Sequence, residues 1–200
     1  MSFVHEFVQG TSPLTLLMLH GTGGDERDLL SLGRAVSPDA SLLSPLGKVR
    51  EGTMPRFFRR VSEGVFDMKD LVFRTNELAD WLDEASVEHG INPNHLVAVG
   101  YSNGATMVSS LLLLRPETIS GGIALRPSVP FVPEVLPDLH GKRVLLVPGD
   151  QDPVVPPSQA YEVARILELA GATPTVAQME AGHGLGQKDA DCASRWLVGL

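Results

Sequence analysis

A lone cysteine, Cys192, is the chain's whole thiol content, so no disulfide can close within it and a reducing cytoplasm is the expected setting. A polar stretch surrounds it near the C-terminal end, which argues against a nucleophilic role. No apolar run approaches the length of a bilayer span. The opening residues, Met1-Ser2-Phe3-Val4-His5-Glu6, lack a basic segment followed by an apolar one, and no signal peptide is expected. Positive charge is scarce: 16 Lys and Arg against 24 Asp and Glu leave a net charge of −8. That balance excludes nucleic acid or an anionic membrane surface as the main partner. The histidines at 5, 20, 89, 95, 140 and 183 form no spaced ligand set with Cys or carboxylates, so neither a metal nor another cofactor is expected. Repeats, linkers and low-complexity segments are also missing, and 200 residues suit one domain spanning 1–200.

What remains is an alternation of short apolar runs with helical patterns, the signature of βαβ units. Strands are expected at Phe3–Val8, Leu14–Leu19, Ser41–Ser44, Leu96–Val99, Gly122–Leu125, Arg143–Val147 and Thr175–Met179. Leu14–Leu19 and Arg143–Val147 are apolar without alternation, as in strands covered on both faces. Helices are expected at Asp70–His89, Ala105–Leu114, Pro156–Ala170 and Leu185–Leu200. The second is apolar nearly all round and should be deeply buried. The pattern predicts a three-layer α/β domain, with helices on both faces of a mostly parallel central sheet.

One stretch joins strand to helix through Gly100-Tyr101-Ser102-Asn103-Gly104. Gly-x-Ser-x-Gly arises by chance in roughly 15% of chains of this composition, so its context carries the weight. A strand before it and a helix after it put Ser102 at the apex of a sharp turn and at a helix N-terminus, beside unpaired N–H groups suited to an oxyanion. The competing reading is an ordinary serine N-cap.

A serine hydroxyl needs a base, and the base an orienting acid. Downstream of Ser102 stand two histidines, His140 and His183. His140 precedes a strand and falls at the opposite end of a parallel sheet, whereas His183 follows the last strand, at the Ser102 end. After strand Arg143–Val147 come Asp150 and Asp152, both leaving the carboxyl edge where open α/β sheets place their ligands. Spacing alone does not choose between them. After strand Leu14–Leu19, His20-Gly21-Thr22-Gly23-Gly24 supplies a glycine-rich loop whose Thr22 N–H, with that of Asn103, can serve an oxyanion. A phosphate loop is the rival there, but Glu26 stands where the third glycine would be and no Gly-Lys-Ser/Thr follows.

Taken together, His20-Gly21-Thr22-Gly23-Gly24, Gly100-Tyr101-Ser102-Asn103-Gly104, Gly149-Asp150-Gln151-Asp152-Pro153 and Ala181-Gly182-His183 resemble the phospholipase/carboxylesterase family of α/β-hydrolases, which includes acyl-protein thioesterases and small bacterial carboxylesterases. The resemblance spans nearly the whole chain. It implies an α/β-hydrolase fold, Ser102 as nucleophile, Asp152 rather than Asp150 as the acid, His183 as the base and main-chain donors at Thr22 and Asn103. Thioesterases of the family usually carry Gln after the nucleophile; Asn103 stands here, which favours carboxylic esters, and the shortness of Arg126–Leu139, which leaves the site open, favours small to medium ones. The implied partner is a small-molecule ester, and a homodimer is compatible with the chain. The alternatives are a thioesterase or other acyl hydrolase with the same residues, or a non-catalytic scaffold that binds a ligand.

Two segments bear on the substrate. Five of the 16 Lys and Arg fall between positions 48 and 60. There Met54, Phe57 and Phe58 are candidate walls of an acyl or aryl pocket, and Arg56 or Arg59 a candidate attractor for an anionic group. The bland reading, favoured on composition, is that the aromatics are core and the arginines a solvated face or ion pairs. Arg126–Leu139, with prolines at 127, 130, 133 and 137, is too short for a separate cap domain.

Overall fold

A computed structural model describes residues 2–199. Along the chain run β1 (His5–Val8), β2 (Thr15–Leu19), α1 (Leu30–Val36), β3 (Ser41–Pro45), β4 (Val49–Glu51), β5 (Met54–Arg56), β6 (Arg60–Ser62), β7 (Val65–Phe66), α2 (Met68–His89), β8 (Leu96–Tyr101), α3 (Asn103–Leu114), β9 (Gly121–Leu125), β10 (Arg143–Val147), α4 (Ser158–Leu169), β11 (Thr173–Val176) and α5 (Gln187–Val198). Among the described residues one seven-stranded sheet has the order β1-β3-β2-β8-β9-β10-β11. Only β1 runs antiparallel, against β3; every other neighbouring pair is parallel.

Because successive side chains of a strand point to opposite faces, apolar strands without alternation feed two cores at once. Leu17, Leu19, Leu43, Ala98 and Leu146 pack with α2, α3 and α4. Leu16, Met18, Leu42, Val99 and Leu145 pack with α1 and α5 on the other side. The result is the three-layer, mostly parallel architecture expected from the sequence. All residues of α3 from Asn103 to Leu113 are buried, as its unbroken apolar pattern requires.

Boundaries moved where local chemistry decides them. α2 starts at Met68 because Asp67 caps it, accepting from the Asp70 N–H at 3.1 Å, and it stops at Gly90 in the left-handed region, φ 67°. β11 is Thr173–Val176, and beyond it Met179 touches Gly149 only as an isolated bridge. The last helix begins at Gln187, and the expected end at Leu200 lies outside the described residues. α1 and the hairpins β4–β5 and β6–β7 were not expected. α1 has seven residues and an internal glycine, and the hairpin strands have two or three residues each, too few for a readable period.

What positions the site is the passage of α3 across the end of β2. A Cβ on Gly104 would lie 2.0 Å from the Leu19 carbonyl oxygen, a backbone atom that cannot swing aside. Gly104→Ala should therefore destabilise the protein by about 1–3 kcal/mol. Urea denaturation will show it as a lowered midpoint at an unchanged slope.

Candidate active site

Ser102 occupies the junction of β8 and α3 with φ 52° and ψ −110°. A non-glycine residue at positive φ carries strain of about 1–3 kcal/mol and persists only where its surroundings over-determine it. Here the Ser102 N–H donates to Leu125 O at 2.9 Å, and its carbonyl accepts from the Thr106 N–H at 3.1 Å. The Ser102 side chain makes no capping bond to α3, so the N-cap reading does not describe it. Its Oγ instead lies 3.0 Å from His183 Nε2.

His183 Nδ1 lies 2.7 Å from Asp152 Oδ2. With a carboxylate at Nδ1, that nitrogen carries the proton, leaving Nε2 to accept from the Ser102 hydroxyl. The Tyr101 hydroxyl donates to the His183 carbonyl at 3.1 Å and ties the loop after β11 to the end of β8. The Asp152 side chain is fully buried. Burial opposes its charge, yet N–H donation from Val155, the His183 contact and N–H donation from Val154 outweigh it and hold the carboxyl below the usual carboxylate range. Asp150 does other work: its exposed Oδ1 accepts from the Ala181 N–H at 3.2 Å, bracing the loop that carries His183. Of the two aspartates, then, it is Asp152 that contacts the His183 ring, and Asp150 that contacts the main chain of its loop. His140, on the connection into β10, pairs with Asp138 at 2.6 Å on the surface.

The glycine-rich loop after β2 is held by the segment that the sequence offered as a pocket wall, in a bracing role that its composition did not suggest. The Gly23 N–H donates to Pro55 O at 2.9 Å, Arg56 Nη1 to Thr22 Oγ1 at 2.6 Å and the Phe57 N–H to Asn103 Oδ1 at 2.8 Å. Three consecutive residues of the β4–β5 hairpin and its exit therefore grip both Thr22 and Asn103. Asn103 N–H belongs to the first turn of α3, where main-chain donors lack intrahelical acceptors. His20 anchors the loop from below: Nδ1 lies 2.6 Å from Gly21 O and Nε2 accepts from the Gly47 N–H at 2.9 Å. Burial drives the His20 pKa down, in keeping with an Nε2 that accepts a hydrogen bond.

A cleft of about 310 Å³ opens over Ser102, bounded by Thr22, Met54, Arg56, Phe66, Val155 and His183 among others. Met54 stands in its wall as expected. Phe57 and Phe58 do not: they are 2% and 0% exposed and belong to the core under α2 and α3, because two adjacent aromatic rings gain more by burial than by facing water. Arg59 is also displaced from the cleft. It points to solvent and pairs with Asp67 and Asp70 at 3.2 and 3.3 Å. Arg56 is at the cleft but buried, with Glu51 3.4 Å away. The sequence reading missed Phe66, Val154 and Val155, which lie in short or irregular segments. It passed over Arg126 too, although that residue follows β9 at the carboxyl edge. Among the described residues no group of three or more His, Cys, Asp or Glu is placed to hold a metal ion.

If the relay runs through Asp152, Asp152→Asn should lower kcat by about 10⁴, whereas Asp150→Asn should cost far less. The two variants, assayed side by side on one ester, check this. Because the folded-state pKa of Asp152 is depressed, its stabilising contribution is complete above the ordinary carboxylate range and is lost as pH falls through the folded value. The stability gap between wild type and Asp152→Ala should hence narrow on acidification in denaturation curves taken from neutral pH downward.

No family model matches the chain. It is 47% identical over 192 residues, 96% of each chain, to a Bacillus subtilis protein named "Putative hydrolase MhqD". The crystal structure of the Bacillus cereus carboxylesterase superposes with a TM-score of 0.95 at 41% identity, covering 98% of this chain and 94% of that one. A carboxylesterase from Mesorhizobium loti gives 0.88 at 33% identity over 96% of this chain and 91% of its own. By sequence and by fold, the chain belongs to the phospholipase/carboxylesterase family of α/β-hydrolases and is a carboxylesterase-like hydrolase.

Proposed function

We propose that the protein is a serine carboxylesterase that cleaves small to medium carboxylic esters through an acyl-enzyme on Ser102. The observation that carries this reading is the continuous relay from Ser102 Oγ to His183 Nε2 at 3.0 Å and from His183 Nδ1 to Asp152 Oδ2 at 2.7 Å, opening onto the cleft. Ser102 Oγ attacks the ester carbonyl while His183 Nε2 takes its proton, and the carbonyl electrons move onto oxygen. Main-chain N–H groups of Thr22 and Asn103 receive that oxyanion. His183 then protonates the departing alkoxide, Asp152 stabilising the imidazolium, and water repeats the sequence on the acyl-enzyme.

The choice of oxygen esters rests on the carboxylesterase names of the structural relatives and on Asn103, whose side chain is drawn back to the Phe57 N–H rather than extended into the cleft. The small to medium size range rests on the cleft volume of about 310 Å³, at the low end for small-molecule sites.

Ser102→Ala should lose of order 10⁶ in kcat, and a fluorophosphonate probe should label the wild type at Ser102 alone. An unlabelled protein, or a variant that keeps its rate, would contradict the mechanism. On matched oxygen and sulfur esters of one short acyl group, kcat/KM should favour the oxygen ester; the opposite ranking would make the enzyme a thioesterase with the same residues.

A further inference from the structure

His183 sits in an irregular loop between β11 and α5, and its ring must stay within hydrogen-bond reach of two partners at once. A loop flanked by Gly182 and Gly184 has little stiffness of its own. Beyond the bonds from Tyr101 and Asp150, the structure supplies stiffness from a residue just past a different strand. Arg126 follows β9 with φ 59°, and together with Ser102 it makes up the non-glycine residues at positive φ among the described residues. Its side chain is wholly buried. Nε donates to Gly182 O at 2.9 Å, Nη2 to Gly184 O at 3.2 Å and Nη1 to Val147 O at 3.1 Å. The remaining two donors form a fork to Asp189, 2.8 Å to Oδ1 and 3.2 Å to Oδ2. All five guanidinium hydrogens thus have acceptors.

The acceptors are what matter. Two are the carbonyls on either side of His183, one ends β10 just before the loop that carries Asp152, and the fourth group opens α5. Asp189 Oδ2 also accepts from the Gly186 N–H at 2.8 Å, closing the far end of the same loop. A buried ion pair is a poor source of stability compared with apolar packing of the same volume. It is, however, a rigid planar clamp, which lysine cannot imitate with a single ammonium.

We propose that Arg126, oriented by Asp189, is a positioning residue for His183: it fixes both flanks of the loop so that the imidazole spans Ser102 and Asp152. This rests on the reading of His183 as the base. Arg126 touches neither the cleft's reacting atoms nor the imidazole ring, so its effect passes through the two flanking carbonyls. Loosening the clamp shifts the ring by a fraction of its reach, and displacements near 1 Å cost about 100-fold in rate.

The test compares wild type with Arg126→Lys, which keeps a positive charge facing Asp189 but cannot serve both glycine carbonyls. The expected result is a cooperative thermal transition, kcat lowered about 100-fold, KM within about twofold of wild type and loss of the downfield proton resonance of the His183 Nδ1–H bonded to Asp152. A folded variant with kcat within about twofold of wild type and that resonance unmoved overturns the proposal. Should Arg126→Lys fail to fold, Arg126→Met combined with Asp189→Leu removes both buried charges and is read by the same criteria. A third measurement needs no variant. On warming the wild type, the Arg126 Nε–H and His183 Nδ1–H resonances should disappear together below global unfolding; persistence of the His183 signal after loss of the Arg126 signal overturns the clamp. Ser102→Ala separates the two readings: if it keeps its rate, the assignment of the base fails, and if it is dead while a folded clamp variant is fully active, the clamp alone fails.

Discussion

The close passage of α3 over the end of β2 governs the site. Leu19 O sits where a Cβ on residue 104 would be, so the first turn of α3 lies directly on the strand that delivers the Thr22 loop. This brings two unrelated stretches of main chain, residues 20–24 and 102–104, to the same rim. It also forces the turn between β8 and α3 to be sharp enough that Ser102 adopts φ 52°. The strain is borne by parallel pairing on both sides of β8, which lies between β2 and β9 at the middle of the sheet.

Around this rim the labour is divided between side chains that face the cleft and others that brace the loops. Asp152 and Asp150 show the division most clearly, two residues apart on one turn: one is buried against the imidazole, the other holds the neighbouring loop by its backbone. Arg56 and Arg126 form a second such pair. Each is a buried cation whose hydrogen bonds go largely to loops, Arg56 to the Thr22 side chain and Phe58 O, Arg126 to Gly182 and Gly184. Charge in this protein is used next to the cleft mainly as scaffolding.

The elements read most fully from the sequence were those with a long or unbroken apolar period, β2, β8, β10, α2 and α3, and β3, β9, α4 and α5 were also placed, with their ends shifted by one or two residues. The candidate centre was legible because three loops leave the carboxyl ends of parallel strands, a consequence of topology that needs no coordinates. Not legible were α1 and the two- and three-residue strands of the hairpins. α1 contains Gly33, where the Leu42 side chain packs within 2.8 Å of where a Cβ would be, and this glycine weakens the helical pattern. The 45–67 excursion admitted two readings. Its aromatics and arginines have the composition of a binding wall, but Phe57 and Phe58 turn into the core and Arg59 pairs with Asp67 and Asp70, as the favoured reading of core aromatics and ion-paired arginines expected; the site-wall reading of these three fails because tertiary packing decides it.

The hairpin formed by β4 and β5 lies off the main sheet, which would ordinarily leave it free to diverge. It is not free. Met54 faces the cleft, while the next three residues, Pro55, Arg56 and Phe57, hold the two loops that flank the proposed oxyanion site. On the proposed mechanism, selectivity and turnover are therefore geared to one short ribbon. Lineages that remodel this ribbon to accept a different acyl group will also perturb the rate, so compensating changes in residues 20–24 should travel with it.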